Sequence, residues 1–231
     1  MEVIKEIETR RGANLKLNGI AEKIIEKSPS VANYALRPDD FFGTTPKLCL
    51  KEGSKVLAGS PVFYNKKNPD IKIVSPVSGT IKTIERGPKR KIELIIIEPS
   101  KKQDPIKHQV KGWENMDISD LKALLMESGN WPFIHQRPYG VMANPLDIPK
   151  SIFVTTAKTD PLHEDFNFVL KNEQKEFQLG IDLLNKFVDQ PVFLGIDKSY
   201  PGYFESIKGV QHYSFKGPHP AGNLSFHIQK L

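Results

Sequence analysis

The sequence predicts a β module followed by an α/β domain with a parallel sheet. Three observations carry that expectation. Residues 1–100 hold short apolar runs at close spacing, each bounded by Gly, Pro or Asn, which is the pattern of a small sandwich or half-barrel. Residues 101–116 are polar and read as a linker. From residue 117 the apolar spacing changes to a helical period, and strand-like and helix-like segments then alternate, as they do where helices cover a parallel sheet.

In the first region the expected strands are "KLCL" (47–50), "SPVFY" (60–64), "IKIVS" (71–75), "TIKTI" (80–84) and "IELIII" (92–97). The separators "KEGSK", "NKKNPD", "VSG" and "RGPKR" each hold a residue suited to reversing the backbone. Gly53, Gly59 and Gly79 are expected to supply special backbone angles at tight corners. In the second region "DISDLKALLMESG" puts Ile118, Leu121 and Leu125 on one helical face, with Asp117 as cap and Gly129 as stop. The loop 130–150 contains four prolines; so long a loop is usually functional or disordered. A buried strand at 152–157, a long helix at 164–188, a strand at 191–196, a short helix around 202–208 and a strand at 210–215 complete a Rossmann-like pattern. The domains expected are thus 1–100, a linker at 101–116, and 117–231, with the last cut short after "FHIQKL".

Composition excludes several classes. Hydrophobic residues make up 39% and charged residues 26% of the 231, as in an ordinary soluble globular protein. No run approaches the ~20 apolar residues of a membrane span, and the charged "MEVIKEIETRRG" is no signal peptide. The single cysteine, Cys49, rules out an internal disulfide and a four-cysteine iron–sulfur site. It reads as a buried packing thiol. His135, His163, His212, His219 and His227 lack zinc-ligand spacing. The net charge of +6 is spread along the chain, so no nucleic-acid partner is expected; the basic surface suits solvent, a partner or a membrane.

Cofactor motifs are few. "LKEGSKVLAGSPVF" and "SPVSGTIKTI" resemble the two halves of a lipoyl or biotinyl module, which makes the β module a barrel-sandwich hybrid. The hairpin that would display the modified lysine, "NKKNPD", holds Lys66 and Lys67 without the Asp-Lys-Ala or Met-Lys-Met context, so an unmodified structural or docking module is expected. No G-x-G-x-x-G, P-loop or G-x-S-x-G occurs, which argues against classical dinucleotide binding and an α/β-hydrolase.

Two stretches remain as candidate sites. In "SGNWPFIHQRPYG" (128–140), Trp131, Phe133 and Tyr139 surround His135 and Arg137. Flat apolar faces beside a guanidinium suit a planar, partly polar ligand such as a quinone ring; the other reading is that the aromatics staple the loop to the core. In "KGPHPAGN" (216–223), His219 lies between two prolines at the carboxyl end of an expected strand, where open α/β sheets place ligands. It is either a proton donor or part of a rigid structural turn.

These residues, with "RGANLKLNGIAEK" (11–23), "KEGSKVLAGSPVFYNKKNPDIKIVSPVSGTIKTIERGPKRKI" (51–92) and "FKGPHPAGNLSFHI" (215–228), resemble the A-subunit family of the Na+-translocating NADH:quinone reductases over essentially the whole chain. The resemblance implies a peripheral subunit on the cytoplasmic face of the bacterial inner membrane. It implies docking on the membrane-embedded B-subunit, in company with the other subunits of a complex that couples NADH oxidation and quinone reduction to Na+ export. It implies no redox cofactor in this chain, with FAD, FMN and iron–sulfur centres on other subunits, and quinone as the candidate ligand near Trp131, Phe133, Arg137 and His219. The alternative is a purely structural docking subunit without a ligand. The family is related in fold to flavin-binding subunits whose glycine-rich loop cradles FMN. Here Trp131, Pro132 and Phe133 stand where those glycines would be needed.

Overall fold

The structure is a computed structural model and describes residues 5–19, 22–197 and 202–231. The chain packs into two compact units, one of residues 27–147 and one of residues 1–26 with 148–231. This division differs from the expected boundaries at 100 and 117. The first strand, β1 (Lys5–Glu8), belongs to the second unit and is described with it.

Unit 27–147 is built from two small sheets. Its strands are β2 (Tyr34–Leu36), β3 (Pro46–Leu48), β4 (Lys55–Val56), β5 (Pro61–Asn65), β6 (Asn68–Val74), β7 (Gly79–Arg86) and β8 (Ile92–Pro99). One sheet has the order β2-β8-β7-β4 and the other β3-β5-β6, all pairs antiparallel. Side chains from both sheets, chiefly Val56, Val62, Phe63, Ile73, Ile81, Ile92, Ile95 and Ile97, form one core. Ile92 and Ile95 are three apart yet both point inward. The register between β7 and β8 shifts where Glu85 and Arg86 face Leu94 and Ile92, and that bulge resets the alternation.

The turn between β6 and β7, Ser75–Ser78, is an internal polar hub. Ser78 is 3% exposed. Its Oγ donates to Asp104 O at 2.8 Å and accepts from the N–H groups of Ala58 and Asp104, each at 3.0 Å. Gln103 clasps the same residue, accepting from Ser78 N at 2.8 Å and donating to Ser78 O at 3.1 Å. Residues 101–106, the start of the segment expected to be linker, are therefore tied to the module, and Ile106 N adds a 2.8 Å bond to Ala58 O. The glycines divide by cause. Gly53 and Gly59 have positive φ, +81° and +92°, as expected. Gly79 does not: a Cβ there would lie 2.1 Å from Glu98 O, so close approach of β8 requires it rather than a special angle.

After β8 comes α1 (Ile118–Glu127). Asp117 caps it as expected, its side chain accepting from Asp120 N at 2.8 Å. The helix packs on β6 through fully buried Leu121, which is why it falls in the β unit and not with the α/β domain. A hairpin of β9 (His135–Gln136) and β10 (Val141–Met142) follows.

The second unit holds a parallel sheet of order β1-β13-β12-β11, with β11 (Phe153–Thr155), β12 (Val192–Ile196) and β13 (Val210–Lys216). The contribution of β1 departs from the expectation that residues 1–100 form one β module. One face of β11 and β12, with Val154, Val192, Leu194 and Ile196, packs with Ile181, Phe204 and Ile207. The helix expected over 164–188 is two pieces, α2 (Phe166–Val169) and α3 (Gln174–Asn185). The wholly polar run 171–176 offers nothing to hold a continuous helix on the sheet. A last helix, α4 (Leu224–Lys230), covers the other face at β13. Its signal was present in the spacing of Leu224, His227, Ile228 and Leu231, a helical period that "FHIQKL" taken alone conceals.

Candidate functional site

Two places carry the expected site residues, one in each unit. In unit 27–147, Trp131, Phe133 and Arg137 lie in one loop but in different environments. Trp131 is 4% exposed; its indole Nε1 donates to Ala143 O at 2.8 Å. With buried Pro132 it fills the inside of the loop, so the stapling reading describes Trp131. Phe133 begins from the same short 3-10 turn but is 74% exposed. Arg137 and Tyr139 are exposed in the β9–β10 hairpin, where the Arg137–Pro138 peptide is cis and Gly140 has φ +66°.

The loop is fixed by polar contacts. Ala143 N donates to Ile134 O at 2.8 Å, Lys122 of α1 donates to the carbonyls of Pro145 and Asp147, and Asn144 Nδ2 donates to Asp147 Oδ1 at 2.9 Å. So anchored, it leaves a cleft of about 160 Å³ whose lining includes Asp40, Phe41, Phe42, Phe133, His135 and Met142. Phe42, 69% exposed, lines the same cleft as Phe133. Sequence reasoning missed the Phe41–Phe42 pair; the signal that could have found it is "RPDDFF", two adjacent aromatics after an acidic turn. Trp131 and Arg137 do not line this cleft.

In the α/β unit, His219 sits in the turn between β13 and α4. The turn is built by backbone crossing. The strand-end segment 9–14 lies against it: Thr9 N bonds Lys216 O, Ala13 N bonds His219 O, each at 3.0 Å, and His219 N donates to Asn14 Oδ1 at 3.1 Å. A Cβ on Gly12, Gly217 or Gly222 would strike backbone at 2.0, 2.2 or 2.4 Å, so these glycines serve chain-to-chain contact. The rigid-turn reading therefore accounts for the backbone. The imidazole is a separate matter. It is 35% exposed, with Nδ1 3.3 Å from Asp160 Oδ1 and 3.3 Å from Thr159 Oγ1. Thr159 Oγ1 also accepts from Gly222 N at 2.8 Å. The Asp160 carboxylate and the Thr159 hydroxyl at Nδ1 orient the ring. Asp160 and Thr159 have no signal in the sequence; "AKTDPLHED" bears no pattern linking it to residue 219.

Ionisable groups elsewhere show ordinary pairing. The Lys91 ammonium, 2.6 Å away, holds the Asp39 carboxyl below its usual value, and Lys158 does the same for Glu164 at 2.6 Å. Cys49, expected to be buried, is exposed just beyond β3; the period-two alternation continues past the strand, so Leu48 and Leu50 face the core and Cys49 points outward with Lys47. Partial burial still pushes its thiol pKa up, with Lys72 opposing. Among the described residues there is no cluster of three metal-ligating side chains and no helix long and apolar enough to cross a membrane.

Comparison with known proteins gives these features a setting. The family described as the NqrA N-terminal barrel-sandwich hybrid domain matches residues 7–100, and the NqrA second alpha/beta domain matches residues 116–231. The chain belongs to the NqrA family. Among its relatives, the A-subunit of the Na(+)-translocating NADH-quinone reductase of Rhodopirellula baltica is 33% identical over 228 residues, covering 96% of this chain and 50% of the relative. The corresponding proteins of Alcanivorax borkumensis and Pseudomonas aeruginosa are each 30% identical, covering 97% of this chain and 51% of the relative. The chain thus spans about half the length of the curated relatives it matches. In this NqrA-family chain the barrel-sandwich hybrid keeps its expected place ahead of an α/β domain. The two matches leave α1 with the second domain, whereas packing places it on the first.

Proposed function

We propose that the chain acts as part of the NqrA component of a Na+-translocating NADH:quinone reductase, peripheral on the cytoplasmic face and docked on the membrane-embedded B-subunit, and that it receives the quinone ring in the cleft beside Phe133. The chain holds no redox cofactor in this reading; flavins and iron–sulfur centres belong to other subunits. The observation that carries the ligand assignment is the cleft itself. Phe41, Phe42 and Phe133 offer flat apolar faces to a ring, Met142 offers a soft wall, and His135 supplies one hydrogen-bonding group. At about 160 Å³ the cleft suits a head group and leaves an isoprenoid tail outside. Trp131 contributes by holding the loop, and Arg137 stands outside the lining. His219, in the other unit, does not line this cleft.

The test is titration with a short-chain, water-soluble ubiquinone analogue, read by Trp131 fluorescence in a Trp113→Phe background. Trp131 adjoins the two residues that wall the cleft, so bound quinone quenches it. Saturable quenching at micromolar concentration, weakened at least tenfold in Phe133→Ala and Phe42→Ala, is the expected result. Linear, non-saturating quenching unaffected by either substitution would leave the purely structural docking role in its place.

A further inference from the structure

Under the turn that carries His219 lies an enclosed polar pair that neither site uses. Tyr213 on β13 and His227 on α4 are both at 0% exposure. Tyr213 Oη is 3.0 Å from His227 Nδ1, and His227 Nε2 is 2.7 Å from Ala221 O. A carbonyl oxygen only accepts, so Nε2 bears the proton. Nδ1 is then a bare lone pair, and the Tyr213 hydroxyl donates to it. Geometry thus assigns the ring as neutral and as the Nε2–H tautomer. The pair joins three elements in one chain: strand β13, helix α4 and, through Ala221, the turn.

The surroundings suit a neutral ring only. Phe215 and Phe226 lie 4.1 and 6.5 Å from it, centroid to centroid. From β13 the titratable neighbour is Tyr213, from the turn there is only the Ala221 carbonyl, and on α4 itself Lys230 stands over the Phe226 ring. Beyond Tyr213, β11 presents the Thr155 hydroxyl, and β12 presents Gly195, where a Cβ would come within 2.6 Å of Tyr213 Oη. Among the described residues no carboxylate is paired with the ring, and burial pushes its pKa below the usual 6.5. A protonated ring would be a buried cation without a counter-charge, which is costly unless water reaches it. With the ring at 0% exposure, hydrating it requires α4 and the turn to lift from the sheet. The opposite face, with Leu194 and Ile196 packed under Ile181, need not open.

We propose that the Tyr213–His227–Ala221 chain is an acid-released latch that holds the 217–222 turn, and with it the His219–Asp160 pair, in place. Closing the latch requires neutral His227; acidification favours the open state, in which the ring is hydrated and free to protonate. The sign follows from the lowered value. The open form binds the proton more readily, so the latch is fully effective above pH ~6.5 and weakens as pH falls below it. Release frees three bonds together: Ala13 N to His219 O, His219 N to Asn14 Oδ1, and Gly222 N to Thr159 Oγ1.

The experiment is amide hydrogen exchange on the 231-residue chain, expressed as protection factors, with histidine 15N spectra recorded alongside. Neutral Nε2–H His227 is expected at pH ~7.5, a unit above the ordinary imidazole value. Between pH ~7 and ~5, across that value, the protection of Ala13 and Gly222 should fall at least tenfold while that of Leu194 and Ile196 holds. His227→Gln, which cannot take up a proton, should abolish this pH dependence. Tyr213→Phe should lower protection at Ala13 and Gly222 even at the higher pH, because Nδ1 loses its donor. The proposal is overturned if turn and sheet amides lose protection together, if His227→Gln retains the wild-type pH response, or if Tyr213→Phe leaves the turn unchanged. The last two variants are independent, so failure of one to fold leaves the other decisive.

Discussion

Replacing Ser78 by alanine removes one oxygen and three hydrogen bonds. The hydroxyl accepts from Ala58 N and Asp104 N at 3.0 Å each and donates to Asp104 O at 2.8 Å, in a residue 3% exposed. A buried donor left without a partner costs about 1–3 kcal/mol. Ala58 is half-buried and bears that cost nearly in full, whereas Asp104 is exposed, so water can take up its N–H. The expected loss is therefore about 2–3 kcal/mol, with the Asp104 share at the low end. Urea unfolding measures it. With a slope of about 1.5 kcal/mol/M for a unit of this size, the midpoint of the 27–147 transition should fall by roughly 1.3–2 M with the slope unchanged. Hydrogen exchange in 100–106 should rise at the same time, because that segment is held through Ser78. Lys102→Ala serves as the control. Its pair with Asp104 at 3.0 Å is 83% and 52% exposed, and such pairs contribute about 0–1 kcal/mol. A Ser78→Ala midpoint no different from the control, with 100–106 still protected, would refute the idea that this serine organises the turn.

Leu121→Ala should cost about 2–5 kcal/mol, the range for removing a fully buried leucine, since Leu121 is 0% exposed where α1 meets β6. The loss should appear in the unfolding of unit 27–147 and leave the α/β unit unchanged; a loss confined to the α/β unit would reassign the helix. Cys49 is exposed, yet partial burial raises its thiol pKa, with Lys72 opposing. Its reaction with a disulfide reagent at pH ~8 should run several-fold slower than that of a free cysteine peptide, because less thiolate is present; an equal or faster rate would contradict that reading.

The β strands of the first unit were legible because burial there follows period two and the turns carry their own chemistry. Each expected strand from 47 to 97 appears within a few residues of its place. What sequence hid was long-range pairing. Nothing in "KEIE" announces a partner at 213–216, since a short charged strand reads the same wherever it pairs. The same limit governed the sites. Local pattern marked Phe133 and His219, but their neighbours, Phe42 in the cleft with Phe133 and Asp160 beside His219, arrive through tertiary packing that spacing does not encode. Trp131 was legible as important and not as buried, because an aromatic that staples a loop and one that meets a ligand have the same sequence context.

The pairing of β1 with β13 also sets a timetable for synthesis. Residues 5–8 leave the ribosome about 200 residues ahead of their partner strand, 213–216; at about 5–20 residues per second that is a wait of roughly 10–40 s. The whole of 27–147 is made in the interval and can fold as it emerges, since the described strands of that unit pair within its own sheets. The waiting strand, Lys-Glu-Ile-Glu, carries charge at three of its four positions, and charged strands are poor templates for pairing with other chains. A short charged segment that looks undistinguished in the sequence is thus suited to remaining solitary until its neighbour exists.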